Sequence, residues 1–434
     1  TETLIGALRF MRGNNTPLRY LFKDALSHLK DPSAERLLRD VAADFARDRR
    51  TVFMVDAGGA LPASLHPLAA PFELALPDEK EIKDIVRNTA RELIRAGNAA
   101  VDLSSAEFDR FLANLRGLTR VEVAQAVAEA ILSNGRLDAG DIDLAIAVKR
   151  RRLRQTGVLD YIPPPDEFPS IGGMANLRGW LSLRAKALTD KARDFGLEPP
   201  RGILLLGVQG CGKSLMARYV AADWHIPLLR MDVGSLYDKF IGQTEHHLRT
   251  AFQVASAMAP CVLWIDEIEK AFASAGAGAG GAMSDGGLSQ RMFGQLLTWM
   301  QDHDNPVFLV ATANDVTALP PELMRKGRFD EVFFVDLPSA EAREVIFKIH
   351  LARRKRDPEA FDLPALAAAS EGFSGAEIEQ AIVSAMYAAF AADRDLSAKD
   401  VLGELAATEP LSVLMAEKIT DLRTWARQRC VQAD

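Results

Sequence analysis

A glycine-rich stretch carries the most specific chemistry in the sequence. It fits the pattern G-x-x-x-x-G-K-[ST] and consists of Gly207, Val208, Gln209, Gly210, Cys211, Gly212, Lys213 and Ser214. Its glycines let successive backbone N–H groups turn toward phosphate oxygens, and the helix that follows points its positive dipole end at the same anion. Lys213 can reach the terminal phosphates, and the Ser214 hydroxyl can ligate Mg²⁺. The stretch therefore predicts a site for a nucleoside triphosphate and magnesium.

Two adjacent acids supply the second half of the predicted site. Asp266 and Glu267 follow the apolar run CVLWI, which is typical of a buried parallel strand, and ligands bind at the carboxyl ends of such strands. Asp266 would hold Mg²⁺ directly or through a water, and Glu267 would act as general base on the attacking water. An acidic pair after a strand is otherwise often a helix N-cap. The phosphate loop makes that alternative the weaker one.

A third strand, PVFLVATAND, ends at Asn314. Its amide could orient the attacking water, although asparagine is also a common turn residue. Arg325 and Arg328 follow, three residues apart, and taken alone they are a pair of surface arginines. Cys211 is interpreted as a small loop residue in preference to a redox switch. Strand, turn and helix alternate through this region, which predicts an α/β fold with a parallel sheet.

Composition limits the class of protein. The 434 residues are enough for two or three domains, and 48% apolar with 26% charged residues is ordinary globular composition. The net charge of −7 argues against a nucleic-acid backbone as the main partner. The basic run KRRRLR at 149–154 is interpreted as a solvated helix end or linker.

Cysteine usage and hydropathy bear on the compartment. The three cysteines, Cys211, Cys261 and Cys430, have no metal-ligand spacing and cannot form a disulfide framework, so a reducing cytoplasm is expected. No apolar stretch approaches the roughly 18 residues that span a bilayer, and no signal peptide is recognised, so no membrane partner is expected. Because no initiator Met is present, we expect the sequence to begin inside a longer gene product.

These motifs, in this order, resemble the AAA family of P-loop ATPases. The resemblance covers nearly all of residues 168–395 and rests on SIGGM (170–174), GVQGCGKS, KFIGQTEHHLR, LWIDEIEK, ATAND, RKGRFD and GFSGAEIEQA. It implies an α/β domain with a small helical lid, ATP and Mg²⁺ as ligands, and a homo-oligomeric ring, usually a hexamer.

The resemblance also assigns roles to individual residues. It implies that Arg325 and Arg328 act in trans as fingers on a neighbouring subunit's nucleotide. The residues that it places around the nucleotide are Ile171 and Gly172 near adenine and Gly375 and Ala376 in the lid.

A pore loop is the last feature that the resemblance implies. Family members carry an aromatic loop that grips an extended polypeptide where this chain has Lys239, Phe240 and Ile241. A phenylalanine after a lysine is, taken alone, more often half-buried core. The family usually has Gly-Glu-Ser-Glu after this loop, whereas this chain has GQTE at 242–245, which puts the inter-subunit contacts of the loop in doubt. The glycine-rich stretch at 273–287 is expected to be flexible.

An internal repeat relates the two halves of the chain. Residues 1–29 align without a gap with 244–272, which places Lys23 and Asp24 on Asp266 and Glu267. Residues 51–82 track 306–342, with Gly59 in place of Asn314, and 115–131 resembles 370–386.

The first copy lacks what hydrolysis needs. A lysine repels Mg²⁺, and no arginine occurs between residues 51 and 86. Residues 1–148 are therefore predicted to be a degenerate AAA-like module. One degenerate module before an active one resembles the group encoded by conserved open reading frame 46 of chloroplast genomes and its bacterial relatives.

The predicted domains follow from these alignments. They are a degenerate module at 1–148 (an incomplete α/β region at 1–77 and a helical lid at 78–148), a linker at 149–170, an AAA+ α/β ATPase domain at 171–337, a helical lid at 338–408 and a C-terminal helix at 409–434.

The predicted function is Mg²⁺-dependent ATP hydrolysis by a ring that remodels or threads a protein partner. The alternative is a nucleotide-gated assembly that binds a partner without threading it. A nucleic-acid motor comes third because of the net charge. No H-E-x-x-H helix accompanies the motor, so a self-contained protease is not expected.

Overall fold

The computed structural model describes the chain apart from residues 1–2, 15, 17, 49, 57–60, 71, 73, 96, 98–99, 139, 156–157, 164–169, 189, 233–240, 271–287, 303–304 and 326. For residues 48, 106, 110, 142–143, 152, 154–155, 190, 193, 241–246 and 288–289 it describes the backbone only. The chain forms two compact units, 1–75 and 76–434.

The first unit packs two helices on one face of a two-stranded parallel sheet. Its elements are α1 (Leu4–Gly13), β1 (Arg19–Lys23), α2 (Pro32–Asp48) and β2 (Thr51–Val55). Alternate strand residues, Tyr20 and Phe22 among them, pack on the helices. Leu21 and Phe53 on the opposite face are 60% and 51% exposed. The sheet therefore buries only one of its faces.

The pairing of β1 with β2 differs from the sequence repeat. Arg19 pairs with Thr51, whereas Val262, which aligns with Arg19, pairs with Phe308 in the second half. The alignment places Phe308 on Phe53 instead, so the two registers differ by two residues. A shift of two keeps each side chain on the same face of the sheet, so the apolar pattern alone could not reveal it.

A four-helix region begins the second unit. It comprises α3 (Glu79–Arg95), α4 (Ser105–Leu115), α5 (Arg120–Asn134) and α6 (Asp141–Gln155), with a short parallel pair β3 (Ala100–Val101) and β4 (Arg136–Leu137). Capping boxes start α4 at Ser104 and α5 at Thr119, because each hydroxyl and a glutamate three residues on satisfy the free N–H groups. Gly135, with φ 78°, ends α5 in the left-handed conformation that favours glycine.

A seven-stranded sheet forms the centre of the second unit. Its order is β11-β10-β6-β9-β8-β7-β5, and every pair is parallel except β5 with β7. The strands are β5 (Leu159–Ile162), β6 (Gly202–Gly207), β7 (Leu228–Met231), β8 (Cys261–Ile265), β9 (Val307–Ala313), β10 (Glu331–Val335) and β11 (Val431–Gln432). Every residue of β6, β8 and β9 is buried, as expected for central strands covered on both faces. The expected α/β fold is confirmed.

Helices cover both faces of this sheet. They are α7 (Ala175–Ala185), α8 (Asp190–Asp194), α9 (Lys213–Asp223), α10 (Ile241–Ala257) and α11 (Leu288–Asp302). Val262 and Phe308 share one core with Met216 and Val220 of α9. On the opposite face the core includes residues of α10 and α11. The carboxyl ends of β6, β8 and β9 therefore lie together at one edge of a sheet that is packed on both faces.

A helical lid and a tail complete the second unit. The lid comprises α12 (Ala340–Arg353), α13 (Leu363–Ala369), α14 (Gly375–Ala391) and α15 (Ala398–Ala407). It has its own core, which includes Phe347, Ile378 and Val401. The tail consists of α16 (Leu411–Leu414), α17 (Ala416–Ala426) and β11, which returns to the edge of the sheet. Among the helices of the described residues, none is long and apolar enough to cross a membrane.

The segment predicted as a linker, 149–170, is partly regular structure. Residues 149–155 complete α6, and 159–162 form β5, which pairs antiparallel with β7. Leu159 and Tyr161 are buried, because alternate residues of this edge strand face the core. The basic run is thus helical, and the chain passes from that helix to the sheet within a few residues.

Lys149, the first residue of the basic run, was expected to be solvated but is buried. Its side chain is buried at 1% exposure, its Nζ lies 3.5 Å from the Ala113 carbonyl, and the Tyr161 ring centroid is 5.0 Å away. Desolvation lowers the pKa of Lys149 to about 7. Nearby, Arg116 donates to the carbonyl of Ala259 at 3.4 Å. The four-helix region is therefore joined to the sheet through polar contacts around a buried amine.

Candidate active site

The phosphate loop leaves the end of β6 and leads into α9. Gly207, with φ 149°, lies so close to β10 that a Cβ would stand 1.9 Å from the Val335 carbonyl oxygen, which only glycine avoids. Gly210 and Gly212 also have positive φ, at 80° and 86°. Helix α9 then begins at Lys213. The predicted strand, glycine turn and helix are all present, and the helix N-terminus opens at the loop.

Lys213 is folded onto the loop that carries it. Its Nζ donates to the carbonyls of Gly207 at 2.9 Å and Val208 at 2.7 Å, and its side chain is buried. Burial lowers the pKa of Lys213 to about 8. The amine therefore lies against the wall of the predicted phosphate site.

Three oxygen-bearing side chains meet at the carboxyl ends of β8 and β9. Ser214 Oγ donates to Asp266 Oδ1 at 2.9 Å, and Thr312 Oγ1 donates to the same oxygen at 2.6 Å. Thr312 also accepts from the Glu267 N–H at 3.0 Å. An all-oxygen set of hydroxyls and a carboxylate suits Mg²⁺, whose remaining ligands in P-loop enzymes are phosphate oxygens and waters. These residues fit the expected ion.

Thr312 was not predicted to be a site residue, although its position at the end of a buried strand indicated that it could lie beside Asp266. It lies in the ATAND motif, one residue beyond the Ile265–Ala311 pair of the β8–β9 register, and so stands beside Asp266. Two hydrogen bonds tie it to the acidic pair. It therefore fixes the orientation of Asp266 and the backbone of Glu267.

Glu267 is held by partners on both carboxylate oxygens. Asn314 Nδ2 donates to Oε1 at 3.1 Å, and the Lys270 ammonium lies 2.5 Å from Oε2. The hydrogen bond to Glu267 raises the pKa of Lys270. Glu267 itself has φ 50°, which turns the chain sharply after the strand. The structure thus brings together the predicted base and the predicted water-orienting amide.

Glu269 supports this pair from below and was not singled out from the sequence. It is buried at 6% exposure, and its Oε1 accepts from the Asn314 backbone N–H at 2.9 Å. Desolvation raises the pKa of Glu269. The buried Glu269 carboxyl therefore fixes the backbone position of Asn314.

The two predicted finger arginines lie in different environments. Arg325 is exposed just after a 3₁₀ turn at Pro321–Met324. Arg328 is buried at 8% exposure, and its guanidinium donates to the Glu322 carbonyl. In the conformation seen, only Arg325 is presented at the surface. The role of both as fingers stays a prediction.

The lid meets the phosphate loop at the start of α14. The Ala376 N–H donates to the Gly210 carbonyl at 3.1 Å, and a Cβ on Gly210 would stand 2.8 Å from Ser374 Oγ. Gly375 is part of the same contact, because a Cβ on Gly375 would stand 3.5 Å from the Gly210 carbonyl oxygen. The predicted lid residues are therefore beside the loop.

The predicted adenine-side segment lies against α12. A Cβ on Gly172 would stand 2.8 Å from the Ala342 carbonyl and 2.9 Å from Ile346 Cγ1, and Ile171 is partly buried beside the core under α9. Ile346 also lies within contact distance of a Cβ on Gly375. Ile346, which the sequence motifs did not include, thus links the two predicted nucleotide-contacting segments.

The remaining predicted residues give a mixed outcome. Burial raises the pKa of Cys211 to about 12, so its thiol stays protonated at neutral pH. Gln209 is exposed in the loop. Lys239 and Phe240 lie outside the described residues, and Ile241 is described only as the first backbone residue of α10.

The first copy of the acidic site differs at each equivalent position that the structure describes. Lys23 ends β1 and is exposed, and its partner in the register is Val55. Asp24 has φ 54°, the same sharp turn as Glu267. The backbone of the acidic turn is therefore retained, whereas an amine replaces the carboxylate that Asp266 supplies. Gly59 lies outside the described residues.

Family models match three parts of the chain. The model described as ATPase family associated with various cellular activities (AAA) matches residues 203–337, and the AAA+ lid domain matches 360–402. A third model, SpoVK-like AAA ATPase, second domain, matches 80–156. Together with the relatives below, these matches show that the chain belongs to the AAA ATPase family.

Individual relatives narrow the comparison. The AAA domain-containing protein ycf46 of Guillardia theta is 37% identical over 413 residues, 95% of this chain and 79% of that protein. The ycf46 protein of Trieres chinensis is 36% identical over 415 residues, with 95% and 81% coverage. The resemblance inferred from the motifs is confirmed.

Other matching proteins cover a smaller share of this chain. The ATP-dependent zinc metalloprotease FtsH of Acidothermus cellulolyticus is 37% identical over 242 residues, which cover 55% of this chain and 36% of that protein. The crystal structure of the FIGL-1 AAA domain in complex with ADP is 19% identical with a TM-score of 0.52, covering 64% of this chain and 94% of that one. The latter likeness shows the fold alone.

Proposed function

We propose that this chain is a Mg²⁺-dependent ATPase that assembles into a homo-oligomeric ring of six subunits and uses ATP to remodel or thread a protein partner. One observation carries the ATPase activity. A phosphate loop, an all-oxygen metal-type set and a glutamate held by an asparagine converge at the carboxyl ends of β6, β8 and β9. Membership of the AAA ATPase family supports the same activity.

Triphosphate binding falls to the loop and the helix after it. The backbone N–H groups of the loop and the N-terminus of α9 attract phosphate oxygens, and Lys213 adds a full positive charge at the same place. Ser214 and Asp266 would hold Mg²⁺, which, when bound, neutralises charge on the phosphates.

Water activation falls to Glu267. Its carboxylate would polarise the attacking water, and Asn314 sets the direction of that carboxylate through a 3.1 Å hydrogen bond. Glu269 keeps Asn314 in place through its backbone. The base is therefore supported by two residues anchored in the core, an arrangement that favours a fixed geometry.

The ring and its partner are proposed from the family resemblance. The exposure of Arg325 after the 3₁₀ turn supports action on a neighbour's nucleotide, because a side chain must reach beyond its own subunit to do so. Arg328 would need to leave its contact with Glu322 to act in the same way. Phe240, flanked by Lys239 and Ile241, is the proposed contact with a polypeptide.

The proposed base is tested by Glu267→Gln. The variant should bind ATP about as well as the parent chain, because the phosphate loop is untouched, and should hydrolyse it at least about 100-fold more slowly. Nucleotide binding is followed with a fluorescent ATP analogue, and turnover by phosphate release. The control is Glu92→Gln, the same chemical change on an exposed position of α3. Turnover close to that of the parent chain would refute the assignment.

A further inference from the structure

The tail at 409–434 is attached along both the lid and the sheet. Helix α17 buries Ile419 and Ala426 in the second unit. Arg423 makes a two-pronged ion pair with Asp336, in which Nε and Nη2 each lie 2.8 Å from a carboxylate oxygen. Asp336 directly follows β10, where the chain leaves the sheet for the lid. The tail is therefore an integral component of the second unit.

One end of the tail caps the helix that follows the adenine-side segment. Met174, with φ 57°, precedes α7 and offers no side-chain cap of its own. Asp434 supplies the cap from the far end of the chain, because its Oδ1 accepts from the Ala175 N–H at 3.1 Å. The Leu177 N–H donates to the Ala433 carbonyl at 3.0 Å.

This cap fixes the residues just before the helix. A Cβ on Gly173 would stand 3.1 Å from Asp434 Oδ2, so the carboxylate touches the segment that continues into Ile171 and Gly172. A carboxylate at a helix N-terminus is favoured by the free N–H groups and the helix dipole. Asp434 therefore restricts how the adenine-side segment enters α7.

The other end of the tail holds the lid helix that touches the phosphate loop. The Leu411 N–H donates to Glu377 Oε1 at 2.7 Å. The second oxygen of Glu377 accepts from the Ser374 N–H at 2.8 Å and forms the capping box that starts α14. Ala376, inside this first turn, donates to the Gly210 carbonyl. A single glutamate thus joins the tail to the lid turn at the loop.

From these contacts we infer that the tail is a positioning element of the nucleotide site, an inference that rests on the proposed function. Asp434 holds the adenine-side segment, and the Leu411 N–H holds the first turn of α14. Both are fixed before nucleotide arrives, which lowers the ordering that binding requires and so strengthens it. The tail acts through these neighbours and does not touch the reacting atoms.

Asp434→Ala tests the adenine side, with Asp434→Asn as its matched control. Asparagine keeps an oxygen that can cap the helix, whereas alanine does not. We expect the alanine variant to bind a fluorescent ADP analogue about three- to tenfold more weakly, the range of one lost hydrogen bond, and the asparagine variant to stay within about twofold. In steady-state ATP hydrolysis the loss should appear as a higher KM more than as a lower kcat.

Leu411→Pro tests the lid side, with Leu411→Ala as its control. Leu411 is the first residue of α16, where proline is well tolerated, and proline has no N–H to donate. Both variants lose the leucine side chain, so their difference isolates the N–H that binds Glu377. We expect the proline variant to bind the ADP analogue about three- to tenfold more weakly than the alanine variant.

The outcomes separate this inference from the proposed function. If the parent chain binds no ADP analogue, or binds it equally after Lys213→Ala, the proposed function has failed. If the parent chain binds and all four tail variants bind alike, the positioning inference is overturned. Equal losses in Asp434→Ala and Asp434→Asn would also overturn the capping role. Should Asp434→Ala fail to fold, the Leu411 pair decides the question.

Discussion

Replacing Lys149 by methionine tests the buried amine that joins the four-helix region to the sheet. In the folded chain burial lowers the pKa of Lys149 from 10.5 to about 7. Between these two values the unfolded chain holds one proton more than the folded chain, so the free energy of unfolding rises with pH by about 1.4 kcal/mol per unit. Below pH 7 both states are protonated, and the cost of burying the charge is constant.

The size of the effect follows from the two pKa values. The lysine charge should make the free energy of unfolding of the parent chain about 4 kcal/mol lower than that of the methionine variant at pH 7, and only about 1 kcal/mol lower at pH 10. Methionine matches lysine in length and flexibility, so the packing change adds a contribution that does not depend on pH. The expected signature is therefore a difference of about 3 kcal/mol between the two pH values.

Urea unfolding followed by tryptophan fluorescence provides the assay. All five tryptophans, at 180, 224, 264, 299 and 425, lie within the unit formed by 76–434, so the signal reports on the unit that contains Lys149. Lys399→Met, at an exposed position of α15, serves as control and should show no such pH dependence. A stability difference that stays constant from pH 7 to 10 would refute the reasoning.

Four further predictions address the site, the ring and the first module. Thr312→Val should lower kcat about tenfold through the loss of two hydrogen bonds, while Thr312→Ser keeps the hydroxyl and most of the activity; equal rates in both would contradict a positioning role. Mixing Arg325→Ala subunits with Lys213→Ala subunits should restore some of the phosphate release if the site is shared, and no rescue in rings shown to be mixed counts against action in trans. Phe240→Ala should preserve ATP hydrolysis and abolish unfolding of a tagged fluorescent protein, whereas parallel loss of both points to a core phenylalanine. Lys23→Ala should leave the rate of ATP hydrolysis in assembled rings unchanged. Intact rings that no longer hydrolyse ATP would contradict the interpretation of the first module as degenerate.

The parts of the site that could be predicted are short, continuous stretches of the sequence. The phosphate loop and the Asp266–Glu267 pair each lie on a strand, a turn and a helix, so short-range pattern determines where their side chains emerge. Asn314 was placed by the end of its strand, and the structure brings it to Glu267.

The residues that were missed depend on distant partners. Thr312 gains its role only from the register of β8 with β9. Lys149 belongs to a run that looks solvated until the sheet is packed against it. The cap that Asp434 supplies to α7 joins residues 259 positions apart, a separation that no local pattern encodes.

The edge strand β5 decides how the chain can be divided for expression. A fragment that begins at 171, at the start of the predicted ATPase domain, would remove the strand that pairs with β7. The freed edge would present unpaired backbone groups beside apolar residues such as Leu229 and Met231, a template for association with other chains. A fragment that begins before α4 keeps both the strand that covers this edge and the contact of the Lys149 amine with the Ala113 carbonyl, because Ala113 lies in α4. The smallest well-behaved ATPase fragment therefore extends into the preceding four-helix region.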